Sequence, residues 1–190
     1  MNPAADPPGA DAGGRAADAP TRVVGADGRA KVYRPLAPDA RGAAREAGLS
    51  AYAEGRFFEA HELLEPAWMG SPDPAERDLD QGLIKLAAAY VHAERGNLLG
   101  MRKNLAGAQR RMGAVVHAHG PAGRRAADAA GVDAESLLTR VEGILAKVEA
   151  MLARSGAAAP AGTLLAVLPP PAIPRRSARG RVVSADREHG

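Results

Sequence analysis

The chain has 190 residues, 25 Lys and Arg against 22 Asp and Glu, no cysteine and a single tryptophan. That length suits one domain with a real core rather than two, and the missing cysteines exclude disulfides and thiolate metal sites. The pI near 9.6 does not point to a basic folded surface. Residues 39–154 hold 15 basic and 16 acidic side chains, whereas 155–190 hold Arg175, Arg176, Arg179, Arg181 and Arg187 against Asp186 and Glu188.

Residues 1–38 are rich in Pro, Gly, Ala and Asp, carry no sustained apolar periodicity, and read as a disordered N-terminal tail. The opening MNPAADPPGADAGG lacks the charged and apolar regions of a secretory signal, so the expected location is the cytoplasm. Residues 39–154 read as one all-α domain, a compact antiparallel bundle of about five helices, with no convincing strand alternation.

The first helix is expected from Asp39, as N-cap, to Glu54, with Gly55 as its stop. The second runs from Arg56 to Met69, where Phe57, His61, Leu64 and Trp68 share a face; Pro66 inside it is expected to kink it. Asp73, Pro74 and Glu76 form a capping-box start for the third, which carries Leu79, Leu83, Leu86 and Tyr90 and stops at Gly96. Asn97 caps the fourth, whose seam is Leu98, Met101, Leu105, Ala108, Met112 and Val115, with Gly120-Pro121 ending it. The fifth begins near Asp133 and carries Leu137, Val141, Ile144, Val148 and Met151 to about Arg154. The heads of the second and fourth helices, each a glycine before two large apolar residues, make the helix pairs weakly repeat-like. Residues 155–190 read as a disordered Pro/Arg-rich tail whose Leu164–Leu168 run is far too short to span a membrane.

Several polar residues stand where a plain bundle places leucine. His61 and Glu65 lie one turn apart on the second helix, and Gln81, Lys85, His92 and Arg95 form a stripe on the third. If those helices place His61, Glu65 and His92 together, two imidazoles and a carboxylate can hold a divalent metal or act as an acid/base pair. The plainer reading is local pairing of His61 with Glu65 inside the core. HExxE lacks the second histidine of a zincin. Trp68 reads as a core anchor, and His117 and His119 as exposed residues without a metal role.

The run from Gly55 through His61, Glu62 and Glu65 to Trp68, followed by Gln81-Gly82-Leu83-Ile84, His92 and Arg95-Gly96-Asn97, resembles the bacterial family known as domain of unknown function 309. The resemblance is dense from about Leu49 to Met112 and implies a small helical fold. It places His61, Glu62, Glu65, Trp68, Gln81, His92, Arg95 and Asn97 at the family's motif positions. Lys85 and Pro66 depart from the pattern, and a lysine beside a cation site would repel the metal. The resemblance implies no activity and no cofactor.

The residues therefore suggest a helical module binding a small molecule or protein partner, with His61, Glu62, Glu65, Trp68, Gln81, Lys85, His92, Arg95 and Asn97 as the candidate pocket. The alternatives are an enzyme using His61, Glu65 and His92, with or without a metal, and nucleic-acid association through the Arg175–Arg187 tail rather than the core.

Overall fold

The computed structural model describes residues 21–24, 30–33, 35–155 and 162–175. The expected tails over 1–20 and 176–190 lie outside these residues. The elements in chain order are β1 (Thr21–Val24), β2 (Ala30–Tyr33), α1 (Pro38–Ala53), α2 (Phe57–Gly70), α3 (Pro74–Glu94), α4 (Leu98–Gly113), a π-helical turn (Ala114–Ala118), α5 (Pro121–Ala129), α6 (Ala134–Ser155) and α7 (Thr163–Val167).

Successive helices α1 to α4 pack as neighbours, α6 lies on α4, and α5 and α7 lie on α3. The long central helix α3 is therefore covered from several sides, as its two apolar faces require. Gly55 and Gly96 end α1 and α3 at φ of 78° and 68°, a left-handed conformation that other residues adopt only with strain. Asn97 accepts from the Gly100 N–H at 2.8 Å and starts α4. Asp133 accepts from the Ser136 N–H at 3.1 Å and starts α6. At the head of α3, Asp73 accepts from the N–H groups of Ala75 and Glu76. The reciprocal half of the capping box does not form, because the Glu76 carboxylate turns to Arg41 and the Ser71 hydroxyl.

Four expectations need correction. A two-stranded antiparallel ribbon, Thr21 opposite Tyr33 through Val24 opposite Ala30, occupies part of the segment read as N-terminal tail. The first helix starts at Pro38 behind Ala37, and Asp39 sits in the first turn without capping by its side chain. Helix α5, Pro121–Ala129, lies between the expected fourth and fifth helices, where none is predicted, and Pro66 stands exposed inside α2. The proline leaves the Glu62 carbonyl without its helical donor, on a face open to solvent.

The fourth concerns residues 162–175, which form α7 and an extended strap docked on the domain. Leu164 and Leu168 are buried, and the Gly162 N–H donates to the Glu94 carbonyl. The Tyr90 hydroxyl donates to the Pro169 carbonyl at 3.1 Å, and the Asp133 N–H to the Pro174 carbonyl at 2.9 Å. Arg175 reaches Glu46 at 2.5 Å. The prolines offer few backbone donors, so the strap uses carbonyls and two leucines to hold on.

Two features tie α1 to the core. Arg41 and Arg45, one turn apart on α1, face Glu76 and Asp80, one turn apart on α3. Arg45 grips Asp80 with two hydrogen bonds, Nε to Oδ1 at 2.6 Å and Nη2 to Oδ2 at 2.9 Å, and Asp80 is wholly buried. Arg41 binds Glu76 at 3.0 Å and the Leu36 carbonyl at 2.6 Å. Burial pushes the Asp80 carboxyl above its usual range despite the Arg45 bonds. Burial also opposes the charge on Arg45, but its bonds to Asp80 and the charges of Asp80 and Glu76 outweigh that and hold the guanidinium above its ordinary value. Beside this ladder, the rings of Tyr52, Phe57 and Tyr90 cluster with centroids 5.3–6.3 Å apart, worth about 0.5–1.5 kcal/mol per pair beyond their area burial.

Candidate functional site

On α2, His61, Glu65 and Trp68 line one half-buried flank while Phe57, Ala60, Leu64 and Ala67 carry the buried face. Trp68 packs against the core from this flank and is not the fully buried anchor expected of it. His61 Nε2 stands 3.7 Å from Glu65 and 3.9 Å from the exposed Glu62, spacings of loose ion pairing rather than hydrogen bonds. This is the local i, i+4 pair, but it sits at the surface and not in the core.

On α3, Gln81, Lys85, Ala88 and His92 form a second half-buried flank, with Arg95 exposed at the helix end. Among the described residues, no hydrogen bond or ion pair joins this flank to His61, Glu62 or Glu65, and no group of three or more His, Asp and Glu is placed to hold a metal. His92 meets Asn97 instead, its Nδ1 lying 3.2 Å from the amide nitrogen. Asn97 thus caps α4 and holds the His92 ring. His119, expected to be exposed, is half-buried and lies 2.8 Å from Asp78, which also binds Arg111 at 2.6 Å.

The nine candidate residues therefore divide. His61, Glu62, Glu65 and Trp68 stay on α2, while Gln81, Lys85, His92, Arg95 and Asn97 run along the junction of α3 with α4. That junction is close because α4 presents glycine where the long polar residues of α3 lie: a Cβ at Gly100 would collide with the His92 ring, and one at Gly107 with the Lys85 chain. Burial pulls the Lys85 ammonium below its usual value, helped by Arg111, Arg110 and Lys103. Burial, Arg95 and Lys103 pull the His92 imidazole down in the same way.

Lys103 and Arg110 border an open cleft of about 740 Å³ between α4 and α6. Asn97, Leu99, Arg102, Lys103 and Arg110 line it from α4 and its cap, and Glu149 stands on α6. Among the described residues, Arg95, Arg102, Lys103 and Arg110 make no hydrogen bond or ion pair. Leu99 is 48% exposed in the same place. A near-neutral domain thus gathers uncompensated positive charge on one face, which the sum over residues 39–154 conceals. The sequence did carry the signal: Leu99, Lys103, Ala106 and Arg110 fall at i, i+4, i+7 and i+11, a solvent-facing stripe opposite the apolar seam.

No helix among the described residues is long and apolar enough to cross a membrane. Residues 46–104 match the model of the family described as a domain of unknown function, DUF309, a segment that contains all nine candidate residues together with Arg102 and Lys103. No curated protein and no solved structure matches the chain.

Proposed function

We propose that this chain, whose residues 46–104 match the DUF309 model, is a helical binding module whose cleft between α4 and α6 takes an acidic partner segment. The observation that carries this reading is the cleft lined by Arg102, Lys103 and Arg110, unpaired cations around an exposed leucine. Asn97 lines the same cleft, and Lys85 and His92 feel the Lys103 charge from α3. Like charges held together cost free energy that an anionic partner relieves, so carboxylates entering the cleft recover the mutual repulsion of these groups. Leu99 offers an apolar side chain of the partner a contact that a phosphate backbone would not use. Glu149 repels a uniformly anionic strand and orients a mixed one. The chemistry favoured is a peptide of alternating acidic and apolar residues. The absence of cysteine suits a reducing compartment such as the cytoplasm.

Titration of the full chain with a fluorescein-labelled Glu/Leu peptide, read by anisotropy at several salt concentrations, tests this. Binding should weaken with salt and fall about tenfold or more when Arg102, Lys103 and Arg110 are all changed to Glu, since each exposed charge contributes roughly 0.5–1 kcal/mol. Equal binding by the reversed variant refutes the cleft. Tighter binding of a duplex oligonucleotide than of the peptide would make nucleic acid the partner instead.

A further inference from the structure

The strap leaves α7 as a proline run, Leu168-Pro169-Pro170-Pro171-Ala172-Ile173-Pro174-Arg175. Leu168 and Pro171 are buried and Pro174 is half-buried, while Pro169, Pro170 and Ala172 are exposed. A contact at every third residue is the repeat of a polyproline II helix laid along a surface. Such a backbone makes no internal hydrogen bonds and its prolines carry no N–H, so a surface that holds it must supply donors to its carbonyls. The domain supplies two. The Tyr90 hydroxyl donates to the Pro169 carbonyl at 3.1 Å, and the Asp133 N–H, at the head of α6, donates to the Pro174 carbonyl at 2.9 Å. Burial pushes the Tyr90 phenol above its ordinary value, which keeps it protonated and able to donate. An aromatic side chain against an extended proline run is the chemistry by which proline-rich peptides are recognised. At the end of the run, Arg175 forms an antiparallel bridge with Val132 and pairs with Glu46 at 2.5 Å. The run is held more lightly than the helix before it. Leu164 and Leu168 seat α7 in the core, whereas a space of about 430 Å³ stays open between the run and α1. Leu49 and Ala53 border that space on one side and Pro170 and Ile173 on the other, so the strap does not fill the surface it lies on.

We propose that the surface made by Tyr90, the head of α6 and Glu46 is a docking site for a partner protein's Pro-x-x-Pro segment followed by a basic residue, and that the strap is its built-in competitor. Helix α7 stays seated through its leucines while the run from Pro169 swings off. The partner's carbonyls then accept from the Tyr90 hydroxyl and the Asp133 N–H, and its basic residue meets Glu46. Side chains bulkier than those of the strap fill the space beside α1.

A fluorescein-labelled peptide with the chain's own sequence from Pro169 to Arg175 is the probe, titrated into the full chain and read by anisotropy. In the wild type the tethered strap competes at a millimolar-scale effective concentration, so the free peptide binds weakly. The full-length variant Pro171→Asp with Pro174→Asp charges the docked side of the strap and alters no residue of the docking surface. With helical circular dichroism unchanged, it should bind the peptide about tenfold or more tighter than wild type does. Arg175→Glu, a milder opening at an exposed residue, should tighten peptide binding about 2–5-fold. Adding Tyr90→Phe to the opened variant should weaken binding about 2–10-fold, the loss of one neutral hydrogen bond. A control peptide with every proline changed to alanine should bind at least about tenfold more weakly, since it loses the extended preorganisation. Equal binding by wild type and both strap variants, or equal binding of the two peptides, would overturn the proposal. A wild-type dimer that is lost in the Pro171→Asp, Pro174→Asp variant would also overturn it, by making a second copy of the chain the occupant.

Discussion

Replacing Asp80 with Ala removes the carboxylate that holds Arg45, and Arg45 is only 5% exposed. The guanidinium then stays buried with no bidentate partner, and its nearest remaining acid is Glu76, 3.7 Å from Nη2. Breaking a buried pair by deleting one partner costs about 3–5 kcal/mol, because the surviving charge keeps its desolvation penalty without its compensation. For a domain of this size that corresponds to a fall in Tm of roughly 10–20 °C. Arg45→Met should cost a similar amount, since it strands Asp80 at zero exposure. The double variant, Arg45→Met with Asp80→Leu, should recover to within about 2 kcal/mol of wild type, because neither charge is left to desolvate. Urea unfolding of the four proteins closes the double-mutant cycle. A cost below about 1 kcal/mol for Asp80→Ala would refute the reasoning, because it would mean the pair is hydrated and does not clamp α1 to α3.

Two further outcomes follow from the packing and the charge on α3. Leu164→Ala should cost about 2–5 kcal/mol, as for any fully buried leucine, because α7 docks on the core; an unchanged urea midpoint would show that the strap is not seated there. His92 is held below its ordinary value of 6.5, so the unfolded chain takes up the proton first as the medium acidifies. Its contribution to stability is complete above about pH 6.5 and is lost as pH falls from there toward the depressed folded value. The Tm of wild type should therefore drop more between about pH 7.5 and about pH 5.5 than that of His92→Gln, and parallel curves would contradict the cation cluster around His92.

The bundle was legible in the sequence because its helices carry both of their ends. Asp73-Pro74, Gly96-Asn97 and Asp133 are punctuation that local chemistry enforces, and they fall where the helices begin and end. What escaped depends on long-range contacts. The strap at 162–175 has too little periodicity to signal a helix, and its order comes from Leu164 and Leu168 finding holes on an already folded domain. The Arg41/Arg45 and Glu76/Asp80 ladder was visible as two i, i+4 pairs, but the 35-residue offset between them means nothing until α1 lies on α3. Helix α5, Pro121–Ala129, is alanine- and arginine-rich, and it was missed because its apolar face is made of small side chains. For the site, periodicity located the α3 stripe but could not say which neighbour it would face. Gly100 and Gly107 decide that, by letting α4 close on His92 and Lys85 while His61 and Glu65 remain on α2.

The most direct test of the account is a two-dimensional ¹H–¹⁵N NMR titration of the full chain with the Glu/Leu peptide. The account predicts that the amide shifts concentrate between Asn97 and Arg110, with His92 and Arg95 at their edge and the His61–Trp68 flank unmoved. Shifts centred on His61, Glu65 and Trp68, or none at saturating peptide and low salt, would contradict it.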